Sequence, residues 1–113
     1  PISEATAQEV DDFAKHPSFH IVNRAVFDSH MDERCRKLIR GIHKSGVLVD
    51  HNVAEIIARA RTVGLALDED GGRIVLPSVK RDLKTVLSFL EESVYKGVFS
   101  EETYLTNSKR PVA

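Results

Sequence analysis

The chain has 113 residues, 42% apolar and 29% charged, with 16 Lys and Arg against 17 Asp and Glu, one Cys and no Trp. Such a chain can bury the core of one ordinary domain, and its net charge of −1 gives no global pull towards nucleic acid or membrane. One cysteine excludes a disulfide framework or a Cys-rich metal site, and no apolar run is long enough to cross a bilayer. The start, Pro1-Ile2-Ser3-Glu4, is acidic where a signal peptide is basic, and it lacks a Met. We therefore expect a single domain over 1–113, the C-terminal fragment of a longer protein.

Charge is unevenly spread. Residues 1–30 hold five acids and two bases, 31–63 seven bases and four acids, and 64–113 seven bases and eight acids. The basic excess centres on Arg34, Arg36, Lys37, Arg40 and Lys44.

In chain order, Thr6-Ala-Gln-Glu9 has capping-box spacing and opens a short acidic helix that His16-Pro17 ends near Lys15. The stretch Phe19–Phe27 fits two patterns. Phe19, Ile21 and Asn23 alternate like a strand, whereas Val22, Val26 and Phe27 have helical spacing, and the helical reading matches slightly better. Met31, Cys35, Leu38, Ile39 and Ile42 then mark the inner stripe of an amphipathic helix, with Ser29 or Asp28 as its cap and Gly46 past its end. Asp50 is positioned to cap a second helix with the stripe Val53, Ile56, Ile57 and Ala60, ending at Gly64. The short connection Ser45–Val49 makes these two a helix–turn–helix pair. Leu65-Ala66-Leu67 and Arg73–Leu76 flank the turn Asp68–Gly72, which reads as a hairpin. After Pro77, Ser78 is placed to cap a long helix with Val79, Leu83, Val86, Leu87, Leu90 and Val94 inward, which Gly97 ends before a packed tail. The expected fold is α+β, mostly helical and winged-helix-like.

No spacing supports an active site. His16 and His20 stand four apart but Pro17 breaks the helix that would align them, and Cys35 falls in the apolar stripe. Asp68–Gly72 lacks the alternate ligands and closing Glu of a calcium loop, and no phosphate loop or nucleophile elbow occurs. We expect no enzyme activity, no metal and no cofactor.

A helix–turn–helix with a wing is a nucleic-acid layout, yet this pair is poorly equipped to read bases. The outward arc of the 50–63 helix is His51, Glu55, Ala58, Arg59 and Thr62, and the wing tip Asp68-Glu69-Asp70 is acidic. Arg36, Lys37, Arg40 and Lys44, with Lys80, Arg81 and Lys84 if the faces adjoin, could hold phosphate without sequence preference. The same bases also fit the solvated side of any surface helix.

The tail carries a resemblance. Leu87-Ser-Phe-Leu90-Glu-Glu-Ser-Val-Tyr95-Lys-Gly-Val-Phe99, followed by Tyr104-Leu105-Thr106-Asn107-Ser108-Lys109-Arg110-Pro111, resembles the C-terminal pattern of the KwaB-like family of the Kiwa anti-phage system. Arg36-Lys37-Leu38 through Lys44-Ser45-Gly46-Val47-Leu48, Asn52-Val-Ala-Glu55-Ile56 and Gly72–Leu76 are similar to its basic helix, second helix and wing. The resemblance covers residues 19–111, and family members are much longer. It implies a cytoplasmic, non-catalytic defence component that binds duplex DNA, associates with itself and pairs with a small membrane protein, reaching the membrane only through that partner. The matched positions are Arg36, Lys37 and Arg40, with Asn107, Ser108, Lys109 and Arg110 in the tail. Lys109 and Arg110 are candidates for phosphate, while Asn107 and Ser108 also fit local capping bonds. The alternative function is an assembly module, with an apolar patch around Val98, Phe99, Tyr104 and Leu105.

Overall fold

The structure is a computed structural model and describes residues 3–95, with side chains as far as Glu92. Expectations for Val94, Gly97, Val98, Phe99, Tyr104, Leu105, Asn107, Ser108, Lys109 and Arg110 lie outside the described side chains. What is described is an α+β domain, mostly helical with a small three-stranded sheet.

The capping box forms as expected. Thr6 Oγ1 accepts from the Glu9 amide at 3.1 Å and the Glu9 carboxylate accepts from the Thr6 amide at 2.8 Å, which starts α1 (Ala7–Ala14). Helix α1 buries Val10 and Phe13, and the Phe13 ring packs 4.8 Å from Phe19 and 6.4 Å from Phe27.

Residues 19–27 are not one helix. Phe19–His20 is strand β1, and Arg24–Ser29 is helix α2, capped by the Asn23 side chain on the Val26 amide at 3.2 Å. Of the strand pattern only Phe19 is in a strand, of the helical pattern Val26 and Phe27 are in a helix, and residues 21–23 connect the two elements. The strand is decided at a distance: the Ser18 and His20 carbonyls accept from the Ile74 and Leu76 amides at 2.8 and 3.0 Å.

Helix α3 (Glu33–Ser45) is capped by Asp32 on the Cys35 amide at 2.9 Å, not by Ser29 or Asp28. Both of those belong to α2, where Ser29 donates to the Val26 carbonyl and Asp28 pairs with Arg24. Gly46 takes the left-handed φ of +75° expected after the end of α3. The connection then folds into a one-turn helix, α4 (Val47–Asp50), which absorbs Asp50. The cap of α5 (Val53–Thr62) is therefore Asn52, in a second capping box with Glu55 at 2.9 Å in both directions. An Asx side chain two residues closer to the helix makes the same bond Asp50 was expected to make.

The hairpin is shifted towards its glycines. Strand β2 is the acidic run Asp68–Asp70 and β3 is Arg73–Val75, with Asp70 opposite Arg73 across the turn Gly71-Gly72. Both turn residues have positive φ, +61° and +81°, the geometry of a two-residue hairpin turn that glycine adopts without steric cost. The acids are thus strand rather than turn. Leu65–Leu67 are not strand, and Leu65 instead closes α5 through its amide on the Ala60 carbonyl at 2.9 Å. The sheet runs β1-β3-β2, with β1 parallel and β2 antiparallel to β3.

Helix α6 (Lys80–Tyr95) begins with the Val79 carbonyl accepting from the Leu83 amide at 2.9 Å. Ser78 does not cap it through its hydroxyl. Its carbonyl accepts from His30 Nε2 at 2.7 Å, and Val79, expected inside, is 56% exposed. One core unites the elements: Cys35, Leu38, Ile39 and Ile42 of α3, Ile56, Ile57 and Ala60 of α5, Ile74 of β3, and Leu83, Val86, Leu87 and Leu90 of α6 are buried together. Asp32 at the start of α3 meets Lys80 and Lys84 near the start of α6, and Gly41 further along α3 meets Glu91 further along α6. Helices α3 and α6 therefore run side by side in the same direction.

Candidate interaction surfaces

The basic helix projects its charges as expected, but the fold covers most of them with acids. The lead into α1 crosses α3, where the Ala5 amide bonds the Arg36 carbonyl at 3.0 Å. This crossing sets Glu4 against Arg36 at 2.6 Å and Glu9 against Arg40. Arg36 also donates to the Met31 carbonyl, and Lys37 pairs with Glu33 one turn back at 2.7 Å. The Thr6 amide bond is the main cause holding the Glu9 carboxyl below its ordinary range, with Arg40 adding to it. Of the four helix residues expected to bind phosphate, Lys44 alone meets no carboxylate among the described residues.

Lys80 and Lys84 adjoin the start of this helix, again through an acid. Both ammonium groups lie on Asp32 Oδ2, at 2.9 and 3.0 Å. The Cys35 amide and these two lysines hold the Asp32 carboxyl far below the usual carboxylate range.

Two bases on α5 are differently placed. Arg59 and Arg61 are exposed and meet no carboxylate among the described residues, and Val63 just beyond them is 52% exposed. Glu55, the acid on the outward arc, is turned back into its own cap. The three acids of β2 are all exposed on an edge of the sheet.

A groove of about 130 Å³ opens between α1, the end of α3 and α4. Phe13, Ile39, Ile42 and Leu48 make it apolar, and Val49, 87% exposed, stands at its lip. Its polar lining is Glu9, Asp12, His16 and His43. The Asp12 carboxylate accepts from Gln8 Nε2 at 2.8 Å and meets no Lys or Arg among the described residues, and the Asp50 carboxylate lies beside Gly46 at the α4 side. His16 Nδ1 accepts from the Ser18 amide at 3.1 Å, and burial lowers its pKa. The volume decides what the groove can take. It suits one or two side chains and is too small for a cofactor or a typical small-molecule ligand, whose pockets run to several hundred Å³.

Among the described residues, no cluster of three or more His, Cys, Asp or Glu is arranged to hold a metal ion, and no helix is long and apolar enough to cross a membrane. Cys35 is fully buried, and burial pushes its thiol pKa up, the reverse of what a nucleophile needs. The sequence pattern singled out Arg59 but missed Arg61, Asp12, Asp50 and the groove. A signal was present: Val49 and Val63 are apolar residues outside the inner stripes of the helices they adjoin. No family model, curated protein or solved structure matches this chain.

Proposed function

We propose that this domain is a non-catalytic assembly module of winged-helix-like layout that joins the chain to copies of itself. One observation carries this reading: the basic face that would bind phosphate is neutralised by Glu4, Glu9 and Glu33, while an apolar groove with an exposed valine at its lip stays open. Exposed ion pairs are weak, so a phosphate could displace one. What draws a polyanion, however, is the field of the whole face, and these acids bring it close to neutral. The resemblance to KwaB-like proteins supplies the setting, a cytoplasmic anti-phage apparatus with a small membrane protein as further partner. The test is sedimentation of the chain over a concentration series to about 1 mM, where an association of only about 4 kcal/mol is half populated. The weight-average mass should climb above the monomer's 12.6 kDa. A mass fixed at the monomer value throughout overturns the reading.

A second reading is favoured by the chain order, in which α3, α4 and α5 precede the β2–β3 hairpin as a helix–turn–helix precedes a wing. Here the contact is with the backbone of duplex DNA, through Arg59, Arg61 and Lys44, with Arg36, Lys37, Arg40, Lys109 and Arg110 as secondary bases. The exposed acids of β2 weigh against it. Fluorescence anisotropy with a duplex should then show binding that falls with salt by several log units per log unit. No binding at low salt removes this reading.

A further inference from the structure

Two surfaces on opposite ends of the α4–α5 segment carry unused groups of complementary kind. At one end the groove offers an apolar floor, the exposed Val49 and the carboxylate of Asp12, and Asp50, next in the chain after Val49, sets its carboxylate beside the lining residue Gly46; neither acid meets a Lys or Arg among the described residues. The groove also lies at the C-terminus of α3, the negative end of that helix dipole. At the other end, α5 finishes in Arg59, Arg61 and the exposed Val63, with no carboxylate on either guanidinium among the described residues. Helix α5 has ten residues and is therefore about 15 Å long, so its C-terminal end stands a helix length from the α4 side where it begins.

Resting on the assembly reading above, we propose that the groove receives the C-terminal end of α5 from a second copy of this chain. Val63 is the apolar anchor, seated against Val49 and Leu48, and Arg59 and Arg61 meet Asp12 and Asp50 at the rim. The groove's volume matches this occupant, because it accepts a side chain and excludes a larger ligand. Arginine suits the role, since its guanidinium binds carboxylates bidentately and gives up hydration more readily than an ammonium. The contact joins two different patches, so each copy can engage two neighbours, and repetition builds a ring or a filament.

Charge reversal tests the contact with the whole chain. One variant carries Asp12→Lys with Asp50→Lys, and the other carries Arg59→Glu with Arg61→Glu. Circular dichroism and the thermal midpoint establish that each is folded, which is expected because all four side chains are at the surface. Each variant alone should self-associate at least about tenfold more weakly than wild type, because like charges would face each other. An equimolar mixture of the two should recover association, since each supplies the partner charge the other needs. Val63→Asp should weaken association without being rescued by either. If wild type associates and the reversals leave its dissociation constant unchanged, or the mixture fails to recover it, this contact is wrong and assembly proceeds through another surface. If wild type stays a monomer, the assembly reading itself falls.

Discussion

Asp32 joins three local problems in one carboxylate. It caps α3 through the Cys35 amide and receives both Lys80 and Lys84 from α6. Asp32→Ala should cost about 1 kcal/mol for the lost cap, and the exposed lysine pairs add little to that. Asp32→Asn keeps a capping oxygen and should cost less, a ranking that urea denaturation resolves. The carboxyl's folded pKa lies below its ordinary 3.8. Its contribution is therefore present above that value and lost as pH falls through the folded one, so wild type and Asp32→Asn should converge only in strong acid. Asp32 was legible as a possible cap only in hindsight, because Asp28, Ser29 and Asp32 all stand near the start of the apolar stripe. Which one caps depends on where α2 ends, and that depends on its own packing through Phe27.

At the scale of elements, the packing of α3 on α6 turns on Gly41. A Cβ there would sit 2.8 Å from Glu91 Cγ, closer than real contacts allow. Alanine normally stabilises a helix over glycine by about 1 kcal/mol. Here Gly41→Ala should instead destabilise by about 1 kcal/mol through overpacking. Glu91→Ala should relieve it, giving a double-mutant cycle with clear non-additivity. Glu91 has its own signature. Burial first, and Glu92 beside it second, raise its pKa above 4.5, so the fold prefers the neutral form. That preference stabilises fully below pH 4.5 and is lost as pH rises through the folded value, so Glu91→Gln should exceed wild type in stability at pH 7 and match it near pH 4. The hairpin makes a simpler demand. With φ at +81°, Gly72→Val should cost roughly 1–2 kcal/mol, whereas Gly71→Asn should be tolerated, as thermal unfolding will report.

Across the whole molecule, the arrangement of charge matters more than its sum. The acidic lead and the basic helix, read separately, suggested a polyanion-binding face. Folded together, they neutralise each other along the seam of α1 and α3. This yields a direct expectation. Glu4→Gln with Glu9→Gln leaves the cap of α1 intact, because Gln also serves at that capping-box position, and raises the net charge from −1 to +1. The freed Arg36 and Arg40 should then give the variant tighter, salt-sensitive binding to duplex DNA than wild type, measured by anisotropy at low salt. Equal binding by the two proteins would mean that these ion pairs do not mask the face.

The sequence by itself determined whatever is settled within a turn or two of chain. The capping box at Thr6 and Glu9, the inner stripes of α3 and α5, the left-handed Gly46 and the burial of Cys35 all follow from 3.6-residue periodicity and bonds spanning three or four residues. Tertiary structure alone decided the rest. Phe19–His20 became a strand because its partner, Ile74–Val75, lies over fifty residues away and supplies hydrogen bonds that no local pattern encodes. The acids of Asp68–Asp70 became strand because a two-glycine turn fixes the register across it. Among the described residues Arg34, Lys44, Arg59 and Arg61 meet no carboxylate, whereas Arg36 and Arg40 do, because Glu4 and Glu9 reach them from α1 and the segment before it. Ion pairs between elements depend on how the elements cross, and spacing along one helix carries no record of that.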